Sequence, residues 1–263
     1  MTTLRPAADA AARTAVAMRT EAIFRASGAF REGHFLLKSG RHGDAYVEKS
    51  VIVYGSPMGN SNVHNHKRCP LFLAGHETTS NALTWTWYLL SQNHAARERL
   101  HDEIDRVLGQ RRATADDLAS LPYTRMVLSE SMRLYPPAYA IGRMALEDYE
   151  VGGVVIPRGC LAVVSPLVTQ RDARWFPEPE RFAPERWTPQ AQAARPKFSY
   201  FPFGGGTRMC IGDQFAWTEG MLLLATLAQR WRAELSAGQR VAMKPMITLR
   251  TRYGMRMVLR KRQ

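Results

Sequence analysis

The stretch 170–209 is crowded with proline and aromatic residues, shows no helical or strand periodicity, and runs straight into one cysteine, Cys210. Irregular backbone of that length is kept in a compact domain when it serves a site. The next stretch, CIGDQFAWTEGMLLLATLAQRWR (210–232), reads as a long helix beginning at the cysteine. Such a chain must pack its helices so that this loop and its thiol are held in one place.

The segments before the coil are mostly helical. LFLAGHETTSNALTWTWYLL (71–90) is apolar enough for a buried helix, and HAARERLHDEIDRVLG (94–109) is amphipathic and closed by Gly109. ATADDLASLPYTRMVLSESMRLYPP (113–137) predicts a short helix and then a longer one, stopped by Pro136 and Pro137. Short strands are expected over 139–165, where Gly152, Gly153, Pro157 and Gly159 break the pattern, and a hairpin over Val241 to Leu259. The fold class is therefore mainly α with small β-sheets. Upstream lies a short α/β fragment, with helical spacing over 8–27 and strands in GHFLLKSG (33–40) and AYVEKSVIV (45–53). Between them GSPMGNSNVHNHKRCP (55–70) is polar and turn-rich and reads as a linker or fusion seam. The expected division is 1–54, 55–69 and 70–263.

The net charge of +13 comes from arginines scattered along the chain. That distribution speaks against nucleic acid and leaves an acidic protein partner as the expectation. Three cysteines make no disulfide framework and fit a reducing, cytoplasmic setting. There is no apolar run of about 18 residues, so no membrane span is expected.

In FPFGGGTRMCIG (201–212) the cysteine follows a glycine-rich turn and opens a helix. The partial positive charge and unpaired N–H groups of a helix start stabilise a thiolate. Gly204, Gly205 and Gly206 let backbone turn toward the sulfur and let a flat cofactor approach. Arg208 can reach a carboxylate beside the loop. A small buried cysteine after a flexible turn is the alternative. Phe203, Gly206, Arg208, Cys210 and Gly212 complete an F-x-x-G-x-R-x-C-x-G pattern, which resembles the signature of the cytochrome P450 family.

Three further stretches carry that resemblance. AGHETTS (74–80) is similar to the oxygen-activating part of the family's distal helix. Gly75 would leave room for haem and dioxygen, Thr78 would bond back to the Ala74 carbonyl, and Glu77 with Thr78 would relay protons. In ESMR, Glu130 and Arg133 share one helix face. The family makes of them a structural ion pair, with Arg181 of PERF (179–182) as third member. RDARWFPEPERFAPERW (171–187) resembles the meander that leads to the cysteine loop, and Arg143 stands where a haem-propionate contact is often placed.

The resemblance implies the C-terminal half of the P450 fold: part of the distal helix, the ExxR helix, the meander, the Cys loop and the proximal helix. It further implies haem b (iron protoporphyrin IX) on Cys210, held by Arg208 and Arg143 in a pocket shaped by Phe203, Gly204, Gly206 and Gly212. Electrons would come from NAD(P)H through a ferredoxin or flavoprotein reductase, and one oxygen atom of O2 would enter a small organic substrate. The family's first half has no counterpart here, so a truncated monooxygenase is expected, with a catalytically silent haem-binding fragment or non-functional fusion product as the alternative. Residues 14–53, above all GHFLLKSGRH (33–42), resemble the N-terminal region of orotate phosphoribosyltransferase. That family's paired-aspartate phosphate loop is missing, so transferase activity is not expected.

Other residues carry less. His64, His66 and Cys69 lack a fourth ligand at finger spacing. Cys160 reads as a small core residue, and Trp85, Trp87, Trp217 and Trp231 as packing residues on helices.

Overall fold

The computed structural model describes the backbone of residues 30–36, 42–47 and 63–262, and side chains from Ala74 onward. The chain divides into two units, Met1–Ala74 and Gly75–Gln263. In the first, β1 (Phe30–Leu36) and β2 (His42–Val47) form an antiparallel hairpin with an irregular register between Glu32 and Phe35. The helix expected over 8–27 and the rest of the phosphoribosyltransferase-like stretch lie outside the described residues. Helix α1 (Val63–Gln92) starts inside the segment read as a linker. His64, His66 and Cys69 fall on this first stretch, where side chains are not described.

The second unit has a helical core. After α1 come α2 (His94–Leu108) and α3 (Pro122–Leu134), and α6 (Asp213–Arg230) closes the layer. Leu100, Ile104 and Leu108 repeat every fourth residue on α2, and Met221, Leu224, Ala225 and Ala228 form the matching stripe on α6; all are buried in one cluster with Val127 and Leu128 of α3. Each large side chain so buried contributes about 1.5–3 kcal/mol. Gly220 lets α6 approach α3 closely, since a Cβ there would stand 2.9 Å from Leu128 Cδ2. Gly109 ends α2 with a φ of 55°.

The start of α3 is capped from another helix. Its N-cap residue, Leu121, has no side-chain acceptor. Glu103 of α2 supplies one, taking hydrogen bonds from the backbone N–H of Tyr123 and Thr124, both at 2.7 Å, and from the Thr124 hydroxyl at 2.8 Å. A carboxylate at a helix start answers both its orphan donors and its dipole.

The strands form two-stranded antiparallel pairs: β3 (Ile141–Met144) with β6 (Leu161–Val164), β4 (Tyr149–Val151) with β5 (Val154–Ile156), β8 (Met243–Pro245) with β9 (Leu249–Thr251), and β10 (Met257–Lys261) with β7 (Trp231–Leu235). The expected hairpin at the tail is thus only its first part, because β10 leaves it to pair with β7. That pairing also claims Trp231, expected on a helix: α6 stops at Arg230 and Trp231 opens β7. Cys160 is an exposed free thiol and not a core residue. Met144, Leu161, Val163 and Val164 on the β3–β6 pair are exposed as well, so the apolar strands seen in the sequence have no covering layer among the described residues. Between the short helices α4 (Pro166–Thr169) and α5 (Pro189–Ala193) the coil carries Phe176 and Trp187 into the interior.

Candidate active site

The cysteine loop is built by its own backbone. The Gly204 N–H donates to the Phe201 carbonyl at 2.9 Å and the Cys210 N–H to the Phe203 carbonyl at 3.0 Å. Gly204 and Gly206 have φ of 73° and 68°, a region costly for any residue with a Cβ. Helix α6 begins at Asp213, three residues after the cysteine and not at it. The thiol is exposed. A Cβ on Gly212 would come within 3.9 Å of its Sγ, so this glycine keeps one side of the sulfur open. Phe203 packs on Trp217 with ring centres 5.9 Å apart, and the Arg125 guanidinium covers Trp217 from 4.2 Å. A cavity of about 440 Å³ opens beside the loop, lined by Arg125, Met126, Trp187, Phe203, Met209 and Trp217 among others.

The predicted partners Glu130 and Arg133 are both fully buried, joined at 2.9 Å. Arg133 donates twice to Glu130, and also to the backbone carbonyls of Gln170 at 2.9 Å and Arg181 at 3.2 Å. The carboxylate takes further hydrogen bonds from Trp187 Nε1 at 2.9 Å and the Ala183 N–H at 3.0 Å. Arg181 therefore contributes its carbonyl. Its guanidinium pairs with Glu178 at 3.0 Å in solvent. The second cation beside Glu130 is Arg186, whose Nε stands 3.4 Å from Glu130 Oε1 without hydrogen-bond alignment.

Sequence reasoning missed two residues of this network. Trp187 closes the Arg171–Trp187 stretch, but nothing in the sequence signals a partner for its indole donor. Gln170 is fully buried: its Nε2 donates to the Met132 and Arg133 carbonyls at 3.1 and 3.2 Å, and its Oε1 accepts from the Phe201 N–H at 3.1 Å. It ties the end of α3 to the start of the cysteine loop. A polar residue beside the Arg171–Trp187 stretch was the available clue. Tyr200 donates to the Ser129 carbonyl at 3.2 Å, and burial, with Glu130 beside it, pushes its hydroxyl well above the ordinary tyrosine range.

Ala74, Gly75, Glu77 and Thr78 all fall on α1. A Cβ on Gly75 would meet no described atom within 4 Å. Thr79 Oγ1 donates to the Gly75 carbonyl at 3.0 Å. Glu77 is engaged by the β8–β9 hairpin: its Oε1 accepts from the Thr248 hydroxyl and from Arg250 Nε at 2.9 Å.

The residues fit a haem. Cys210 offers an exposed sulfur with glycines on either side. Arg208 is exposed and makes no hydrogen bond or ion pair among the described residues, and Arg143 is exposed with one bond, to the neighbouring Gly142 carbonyl at 2.8 Å. Ile141 and Arg143 alternate onto the same face of β3, and Ile141 Cδ1 would lie 3.6 Å from a Cβ on Gly204. The strand carrying Arg143 thus borders the cysteine loop, where two exposed guanidiniums, neither in an ion pair among the described residues, suit two carboxylates.

Comparison with known proteins agrees. The sequence is 43% identical to cyclooctatin synthase of Streptomyces melanosporofaciens over 195 residues, 74% of this chain and 42% of that protein. It is 38% identical to pentalenene oxygenase of Streptomyces avermitilis over 178 residues, 68% and 39% of the two chains. Against cyclooctat-9-en-7-ol 5-monooxygenase of Streptomyces melanosporofaciens the identity is 41% over 160 residues, 61% of this chain and 35% of the other. The chain spans about two-fifths of the length of these relatives. The pattern of one family, Cytochrome P450, covers residues 65–255. This chain, helix-rich with small antiparallel sheets, belongs to the cytochrome P450 family.

Proposed function

We propose that this chain is the haem-thiolate portion of a monooxygenase that inserts one oxygen atom of O2 into a small organic substrate. The observation that carries this reading is the exposed Cys210 sulfur at the end of a backbone-fixed loop, with Arg208 beside it and Arg143 on the bordering strand. Cys210 is the iron ligand, and Arg208 and Arg143 take the propionates. Haem, when bound, supplies the reductive activation of dioxygen. Glu77 and Thr78 on α1 would hold and pass protons, and Gly75 leaves space beside them.

Glu130, Arg133, Gln170 and Trp187 hold the loop and do no chemistry. Electrons come from NAD(P)H through a ferredoxin or flavoprotein reductase, and the positive net charge favours an acidic donor. The names pentalenene oxygenase and cyclooctat-9-en-7-ol 5-monooxygenase support an organic substrate. No described helix is long and apolar enough to cross a membrane, and the protein is read as cytoplasmic.

The test is the absorption spectrum of haem-reconstituted protein, reduced and under carbon monoxide. A strongly red-shifted Soret band that disappears in Cys210→Ala supports the reading. A band typical of a neutral ligand, or one that survives in Cys210→Ala, overturns it.

A further inference from the structure

The cavity beside the cysteine loop takes its walls from α3, from the coil end at Trp187 with α5, from the loop itself and from the first turns of α6. Two pairs of aromatic rings line it. Phe203 and Trp217 are 5.9 Å apart and tilted by 55°, and Trp187 and Tyr200 are 4.2 Å apart and tilted by 53°. Met126 and Met209 add polarisable thioethers. Met209 lines this space and its exposed neighbour Cys210 does not, so the cavity is not the space into which the thiol opens. Its volume of about 440 Å³ is that of a small-molecule site, and such sites are mostly apolar and aromatic with a few polar groups.

Several donors around it are already engaged. The Ser129 hydroxyl donates to the Arg125 carbonyl at 2.8 Å, and the Tyr200 hydroxyl to the Ser129 carbonyl at 3.2 Å. The Gln192 amide donates to the Trp187 carbonyl at 2.6 Å, and the Trp187 indole to Glu130 at 2.9 Å. The Arg125 guanidinium differs. It lies over the Trp217 ring at 4.2 Å and makes no hydrogen bond or ion pair among the described residues. A guanidinium held over a ring keeps its edge N–H groups for a carboxylate. Asp213, the acid of the cavity wall, does not pair with Arg125, and its carboxylate accepts the Gln214 N–H at 2.7 Å. Opposite charges at separate points of one wall direct an acidic group to the Arg125 side.

We infer that this cavity binds a small planar aromatic carboxylate, its ring among Trp187, Tyr200, Phe203 and Trp217 and its acid group on Arg125. Ring contacts and burial supply the hold. The charge-assisted bond to Arg125 supplies the selectivity for an acid over a neutral ring of the same shape. Phe203 and Gly204 belong both to the cavity wall and to the loop that fixes Cys210, so a bound acid braces that loop from its side. The inference is independent of the reading of Cys210 as an iron ligand.

The experiment is a titration of the full chain, carrying methyl-labelled methionine, with 2-naphthoate and with its neutral isostere 2-naphthamide, followed by NMR. Met126→Leu and Met209→Leu assign the two methyl signals of the cavity. Naphthoate is expected to shift both signals through the ring current of the ligand, with a Kd on the order of 1 mM or tighter. Naphthamide should bind more weakly. Arg125→Gln should weaken naphthoate roughly tenfold, as loss of a charge-assisted hydrogen bond would, and leave naphthamide nearly unchanged.

Shifts confined to other methionines place the ligand elsewhere and overturn the inference, as does the absence of any shift. Equal affinity for naphthoate and naphthamide, or naphthoate binding at the parent strength in Arg125→Gln, also overturns it. If the methyl spectrum of Arg125→Gln collapses, the variant has unfolded and salt decides on the parent. Naphthoate binding that weakens with added salt while naphthamide binding does not supports the role of Arg125, because salt screens an exposed charge pair. The same salt response from both ligands overturns it.

Discussion

Arg133 meets Glu130 through two parallel hydrogen bonds of 2.9 Å, Nε to Oε2 and Nη2 to Oε1, with neither side chain exposed at all. Desolvating both charges is offset because nearly every polar atom of the pair has a further partner. Removing one charge strands the other, at about 3–5 kcal/mol. Arg133→Met and Glu130→Gln should therefore each lower the urea midpoint of the protein by that equivalent. The double variant Glu130→Leu, Arg133→Met should lose less than the sum of the singles, and strictly additive losses would rule out this account of the pair.

Gln170 is expected to matter nearly as much, although nothing in its type announces it. Gln170→Leu removes two donors to the end of α3 and the acceptor of the Phe201 N–H. Buried groups left without partners cost about 1–3 kcal/mol. Because the loss sits at the base of the cysteine loop, amide exchange at Phe201 should rise more than exchange in α2. Uniform acceleration across both would mean that Gln170 supports the whole domain and not the loop.

The contrast between these residues shows what could be read in advance. Glu130 and Arg133 were legible because the family resemblance makes a structural ion pair of two residues spaced i, i+3 on one helix face. The loop was legible because φ above zero demands glycine at Gly204 and Gly206. Helix positions came from apolar periodicity, as Leu100, Ile104 and Leu108 show. Contacts between distant segments leave no periodic trace: Arg186 beside Glu130, Glu103 as the cap of α3, and Thr248 and Arg250 on Glu77. Local propensity also misplaced Trp231, whose pairing in β7 is decided by β10.

The close approach of α6 to α3 gives a third expectation. A methyl at Gly220 would stand 2.9 Å from Leu128 Cδ2, and Leu128 is itself buried. The better helix propensity of alanine is worth roughly 1 kcal/mol, while overpacking a dense core costs about 1–3 kcal/mol. Packing should win, so Gly220→Ala is expected to be destabilising, and Gly220→Ala with Leu128→Ala should recover part of the clash at the expense of a cavity. A melting temperature above that of the parent in Gly220→Ala would show that the helices separate easily.

Acid sensitivity should trace to His101. Burial, with Arg262 and Arg97 adding to it, lowers its pKa to about 4 against the pull of Glu98 and Asp105, and its Nε2 is buried without a hydrogen-bond partner. In the unfolded chain a histidine titrates near 6.5. Between those values the unfolded state holds a proton that the folded state does not, so stability rises with pH across this window. It is lost as pH falls from about 6.5 toward 4, by at most about 3 kcal/mol. Asp117 acts in the same sense but lower, since its bonds to Arg111 hold its carboxyl well below the usual range. Urea unfolding at a series of pH values should show this slope in the parent and a flatter curve in His101→Gln. An equal slope in both proteins would assign the acid sensitivity to other groups.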